Sequence, residues 1–187
     1  MECLDAILTR RSIRKFRDEP VGDGLVRSLL MAGMAAPSAR NLQPWDFITV
    51  TRKATLEALA GVIPHGKMLP QAALGLVVCG NTERSMDEDK PLFWVIDCAA
   101  ACENVLLAAH AHGLGGVWLG VFPRADRMQG ISDLFHLPGT VVPHSVLAIG
   151  YPAEEGLLKE KYDPARVHAE GWLGRAPDRA RSDPRQG

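Results

Sequence analysis

The stretch FWVIDCAAACENVLLAAHAHG, residues 93–113, decides how the rest of the chain is arranged. It predicts one long helix over 93–112 that stops at Gly113, about 30 Å at ~1.5 Å per residue, a full domain diameter. Asp97, Glu103 and Asn104 break the apolar run, so the helix reads as one buried in a core rather than a membrane span. Buried carboxylates are costly unless paired, so Asp97 and Glu103 are expected to face either a partner subunit or solvent. Cys98 and Cys102 share one helical face, while His110 and His112 lie two turns further on. A straight helix cannot fold those histidines back, so the cysteines read as packing residues, not zinc ligands.

On either side of this helix the pattern alternates between helices and strands. Before it, 74–79 is an apolar, β-branched run ended by Gly80 and reads as a buried strand, and 46–51 as a further strand. Helices are predicted over 2–10, from Asp23 as a cap to about residue 36, and over 54–62. The segments 64–70 and 81–91 read as loops. After the long helix, 115–121 is a short strand or extended turn, 124–135 a helix and 145–150 a last strand. There is no strict βαβ alternation, so the pattern predicts an α+β sandwich rather than a doubly wound sheet. Residues 151–176 carry too few core residues to stand alone and need another surface. Residues 177–187, rich in Pro, Arg and Asp, are expected to be a disordered tail.

The totals exclude several classes of function. At 187 residues with 47% apolar and 23% charged, the chain can bury a core without disulfides or metals. A net charge of −1 and the lack of aromatic interleaving in the 10–17 arm argue against nucleic acid. Cys3, Cys79, Cys98 and Cys102 form no dense framework, which predicts reduced thiols in a cytoplasmic protein. The opening MECLDAILTRRS has no basic leader followed by an apolar stretch, so no signal peptide is expected.

Three segments could carry chemistry. Arg10, Arg11, Ser12 and Arg14 fall where the first helix ends, and Lys159 and Lys161 form a second basic pair. Guanidinium forks and a hydroxyl suit phosphate oxygens, although such charges are also ordinary on solvated surfaces. Pro37, Ser38, Ala39, Asn41 and Gln43 lie in a proline-bounded loop, where amides could read the edge of a planar heterocycle or merely cap a turn. Glycines at 113, 115, 116 and 120 would let a backbone approach a flat ligand, or simply end a helix and pack tightly. No G-x-G-x-x-G follows a strand and no G-x-S-x-G is present, so neither a Rossmann site nor a serine-hydrolase elbow is supported.

Taken in order, these segments resemble the nitroreductase family of flavoproteins. The likeness runs through Arg10-Arg11-Ser12-Ile13-Arg14-Lys15-Phe16, then 37–45 and 97–120. It ends more loosely at Lys159-Glu160-Lys161-Tyr162 and from Arg166 to Trp172, and so spans about residues 2–172. The resemblance implies an α/β/α sandwich with a mixed, mainly antiparallel sheet and a long central interface helix. It implies one FMN-binding domain over 1–176, with 151–176 wrapping the partner of a homodimer that holds FMN at its interface. Arg10, Arg11, Ser12, Lys159 and Lys161 would grip the FMN phosphate, and Arg14 would lie near the N1/O2 edge of the ring. Pro37, Ser38, Ala39, Asn41 and Gln43 would come from the other subunit, and Leu119 and Gly120 would offer backbone on the N5/O4 side. Hydride would pass from NADH or NADPH to flavin N5 and on to a small acceptor such as a nitroaromatic or quinone, in ping-pong order. No side chain would be a catalytic acid or base, and no metal, membrane or nucleic acid would take part. The short 81–91 region marks a compact member, and lysine at 161 stands where arginine is common in the family. Related chemistries, reductive dehalogenation or flavin cleavage, and non-catalytic FMN binding are the alternatives the resemblance leaves.

Overall fold

A computed structural model describes residues 1–85, 92–157 and 160–172. The chain divides into two compact units, Met1–Leu157 and Leu158–Gly187. In the first, the described elements are helices α1 (Cys3–Thr9), α2 (Asp23–Met34), α3 (Lys53–Val62), α4 (Phe93–Ala111) and α5 (Ala125–Phe135). They alternate with strands β1 (Trp45–Val50), β2 (Leu74–Asn81), β3 (Gly115–Gly120) and β4 (Val141–Gly150). In the second, a short turn at Pro164–Arg166 is capped by the Asp163 carboxylate, and the rings of His168 and Trp172 stack at 4.5 Å.

The strands form one sheet in the order β1-β2-β4-β3, with every neighbouring pair antiparallel. The parallel component is a single bridge, Ser12 to Gly116, outside the named strands. Strands β2 and β4 lie in the middle and are buried on both faces, which is why β2 and the later part of β4 are continuously apolar rather than alternating. Leu74, Leu76, Val78, Leu147 and Ile149 point into one core with Leu29 of α2 and Cys98, Ala101, Cys102 and Val105 of α4. Val77, Cys79, Val146 and Ala148 point into the other, with Leu56 and Leu59 of α3 and Ile131 of α5. Each face is thus covered by helices, and the α+β sandwich predicted from sequence is the one observed.

Helix α4 is, among the described residues, the one helix long and apolar enough to cross a membrane. Its stripe of Trp94, Cys98, Ala101, Cys102, Val105 and Ala109 is instead buried against α2 and the sheet, the core role expected of it. Cys79, Cys98 and Cys102 are buried free thiols, as packing residues should be, and burial pushes the Cys79 and Cys102 thiols up to about 12. Trp94 packs against Gly80, where a Cβ would clash with the indole, so only glycine lets the helix approach the strand there. Most boundaries shift by one or two residues, and two differences have a visible cause. Asp23 is the first residue of α2 rather than its cap, which is Gly22. Strand β4 begins at Val141, four residues early, because Pro143 is accommodated beside an irregularity in register at Val78/Cys79.

Of the two carboxylates of α4, Glu103 keeps part of its side chain towards solvent, as expected, and Asp97 does not. Asp97 is buried, and its Oδ1 accepts the backbone N–H of Ala39 at 3.1 Å; burial holds its carboxyl above the usual range. Glu103 accepts the Nε of Arg10 at 3.1 Å. For Asp97 a matching donor offsets the desolvation, and Glu103 stays partly in water, which is how an apolar helix retains both. Replacing Asp97 by Leu leaves the Ala39 N–H unpaired and is expected to cost about 1–3 kcal/mol, whereas Asp97→Asn keeps an acceptor and should cost less. Urea unfolding of the two variants checks this, and equal losses would remove the bond from the account.

His144 on β4 is the other buried polar group of consequence. Its Nδ1 lies 2.9 Å from the Ser145 hydroxyl, and the rings of Trp94 and Trp118 meet it edge-on. Burial lowers its pKa from 6.5 to about 4, against a backbone hydrogen bond with Val95 that favours the charged form. The folded state therefore holds a neutral imidazole that the unfolded chain would protonate. Its stabilising effect is complete above about pH 6.5 and is lost as pH falls towards 4, a swing of about 3 kcal/mol. Urea midpoints at pH 7 and 4.5 should fall further in the wild type than in His144→Gln, and parallel losses would contradict the assignment.

Candidate functional site

The N-terminal basic segment is tied down along its length. Arg10 is held by Glu103, and the guanidinium of Arg11 donates to the carbonyls of Leu8, Arg10 and Leu157 at 2.8, 2.6 and 3.0 Å. Ser12, exposed, lies opposite the start of β3, where the N–H of Ile13 donates to the Gly116 carbonyl. The backbone N–H groups of Arg14 and Lys15 both donate to Glu154 Oε1, so their side chains are left to project. A run of like charge is thereby given a fixed course by backbone and carboxylate acceptors.

From Ser12 at Gly116, β3 runs to Leu119 and Gly120, about 10–13 Å at ~3.3 Å per residue. There it borders a cleft of about 570 Å³. Arg14, Leu119 and Gly120, all singled out from sequence, line it together with Val117 and Trp118. A Cβ on Gly120 would meet nothing within 4 Å, so the strand end presents bare backbone to the cleft. The opposite contributors were missed by sequence reading: Ile63, Pro64, His65, Lys67 and Met68 from the segment after α3, and Arg127 from α5. Nothing in the local pattern of 63–68 marks it out, since it reads as an ordinary loop. Arg127 reads as an exposed helix charge, yet its Nη1 donates to the Gly120 carbonyl at 2.8 Å.

The loop carrying Pro37, Ser38, Ala39, Asn41 and Gln43 is built but lies elsewhere in the chain. The Ser38 hydroxyl accepts the N–H of Gln43 at 2.9 Å, and Gln43 Nε2 donates to Asn41 Oδ1 at 3.3 Å. Arg40, Asn41 and Gln43 have φ of 49°, 57° and 50°, a left-handed course that costs most residues energy and is held here by these bonds and the Asp97 anchor. Asn41 and Gln43 are exposed, and none of the loop lines the cleft of the same chain. Lys161 is exposed in the second unit, and Lys159 lies outside the described residues.

Comparison with known proteins places the chain among relatives. The model of the Nitroreductase family matches residues 7–65 and 64–151. A Methanothermobacter thermautotrophicus protein, provisionally named NADH dehydrogenase/NAD(P)H nitroreductase, is 45% identical over 172 residues, 92% of this chain and 88% of its own. A crystal structure from Parabacteroides distasonis under the same provisional name superposes with a TM-score of 0.85 at 40% identity, covering 91% of this chain and 98% of that one. Another, from Desulfovibrio desulfuricans, is described in equally provisional terms as a nitroreductase in complex with FMN. It superposes with a TM-score of 0.78 at 31% identity, covering 92% and 98%. The family match and these likenesses show that the chain belongs to the Nitroreductase family.

Proposed function

We propose that this protein is an NAD(P)H-dependent FMN oxidoreductase that acts as a homodimer on a small electron acceptor. The observation that carries the reading is the cleft at the end of β3, with cationic groups and bare strand backbone on an apolar wall. The residues present fit FMN. Arg10, Arg11 and Ser12 cluster at the Gly116 end of β3, where a phosphate would be met by guanidinium forks already held in place. Ile63, Met68, Val117 and Trp118 offer apolar surface for a ring, Gly120 lets it approach, and Arg14 and Lys67 add positive charge. Lys161 is proposed to join the phosphate site.

FMN, when bound, supplies the hydride chemistry, and a reduced nicotinamide and then the acceptor take turns in the same cleft. The chain's own work is to bind, orient and shield. Arg14 and Lys67 bias the cleft towards negative charge, and Arg127 fixes the Gly120 carbonyl at its rim. Ser38, Asn41 and Gln43 are proposed to complete the site from the partner, since their loop is ordered by its own bonds yet absent from the cleft of its own chain. A two-fold contact is further supported by exposed apolar side chains at Leu4, Ile7 and Leu8 of α1, Met31 and Met34 of α2, and Phe93 and Ile96 of α4. Free, buried thiols support a reducing compartment, the cytoplasm, as its place of work.

Two measurements test the reading. Purified protein should show the two-band spectrum of oxidised flavin, bleached anaerobically by NADH or NADPH; no flavin even after reconstitution would defeat the proposal. Gly120→Ala should leave stability within roughly 0.5 kcal/mol, because a Cβ there meets no protein atom within 4 Å, while weakening FMN binding about tenfold or more. Unchanged flavin occupancy in that variant would remove Gly120 from the ring site.

A further inference from the structure

At the Gly120 end of the cleft, Arg127 adds a further cation to Arg14 and Lys67, which the flavin reading already uses. Arg14, His65, Lys67 and Arg127 all line it, and no aspartate or glutamate is among the lining residues. None of the ion pairs among the described residues involves any of these four side chains. Four arginines elsewhere are ion-paired: Arg10 with Glu103, Arg17 with Glu19, Arg84 with Asp46, Arg166 with Asp163. The cleft brings Arg14, Lys67 and Arg127 to one wall with no carboxylate among them.

Arg127 makes the point most sharply. Its Nη1 is committed to the Gly120 carbonyl, which fixes the plane of the guanidinium against the strand end. Its Nε is buried and, alone among the buried side-chain nitrogen and oxygen atoms of the described residues, has no hydrogen-bond partner. A desolvated donor without an acceptor is an unrecovered cost. The Nε side of a guanidinium is also the edge that pairs bidentately with carboxylate or phosphate. The guanidinium lines the cleft, and a fork already anchored through Nη1 would lose little freedom in meeting an anionic ligand there.

We propose that Arg127, with His65 and Lys67, forms an anion-recognition site for the molecule that exchanges electrons with the flavin. That molecule carries a carboxylate, sulfonate or phosphate. The inference rests on the flavin reading above and narrows its substrate class. The anion has two sources: a phosphate of the nicotinamide nucleotide, or an acidic group on the acceptor.

The test uses oxidised, FMN-loaded protein as wild type, Arg127→Gln and Arg127→Lys. Flavin absorbance is titrated with 4-nitrobenzoate and with uncharged 4-nitrobenzyl alcohol, and KM is measured for NADPH. The wild type should bind the carboxylate about tenfold more tightly than the alcohol. That ratio should collapse in Arg127→Gln, be partly kept in Arg127→Lys, and shrink as salt is raised. A flat ratio with a KM for NADPH raised about tenfold in Arg127→Gln would assign the site to the nucleotide phosphate instead. Should Arg127→Gln fail to hold FMN, the wild-type ratio, its salt dependence and Arg127→Lys still decide. Equal affinities for acid and alcohol in the wild type, with KM for NADPH unaltered in the variants, would overturn the proposal. A flavin that nicotinamide fails to bleach would defeat the oxidoreductase reading alone, because the titrations need only the oxidised protein.

Discussion

Helix α4 carries two carboxylates, and the candidate site hangs from both. Asp97 takes the N–H of Ala39 and so fixes the loop that holds Ser38, Asn41 and Gln43. Glu103, less than two turns on, takes the guanidinium of Arg10 and so fixes the start of the basic segment. The helix is itself located by packing on α2 and the sheet, with Trp94 set against Gly80. Two segments far apart in sequence are thereby referenced to one rigid element. The two bonds are unequal in kind: Asp97 is buried and leaving its partner unpaired is costly, while the Arg10–Glu103 pair is partly exposed and screened. The loop is held by desolvation, the basic segment mainly by geometry.

What could be read from sequence followed from how much each residue's neighbours along the chain decide its fate. Strands buried on both faces must be continuously apolar, so β2 and the later part of β4 were visible as runs. The cysteines and length of α4 declared a core helix for the same reason. The start of β4 was hidden because Pro143 and His144 look like a loop, and only the irregular pairing with β2 accommodates them. Asp97 and Glu103 were conspicuous, but their partners sit 58 and 93 residues away, and no local pattern reports such a bond.

The same distinction runs through the site. Arg14, Leu119 and Gly120 could be picked out because basic and glycine-rich clusters are unusual enough to notice. His65, Lys67 and Arg127 were invisible, since one charged residue in a loop or on a helix is ordinary until tertiary structure turns it into a shared wall. A chain with net charge −1 can still gather cations in one place, because total charge says nothing of distribution. Against a wall of Ile63, Met68, Val117 and Trp118, such charges act through a medium less polarisable than water and are weakly screened.

That placement bears on how a redox cleft can be selective with few contacts. A flat ring stacked on another ring gains area but little discrimination, since any planar molecule of similar size does nearly as well. A guanidinium whose plane is already set by the Gly120 carbonyl adds direction and sign to that contact. Because the fork is positioned before any ligand arrives, the entropy of ordering it is spent in folding rather than in binding. The bond that shapes the end of β3 and the group that would sort its ligands are therefore the same side chain, so the edge of the cleft and its selectivity cannot be altered independently.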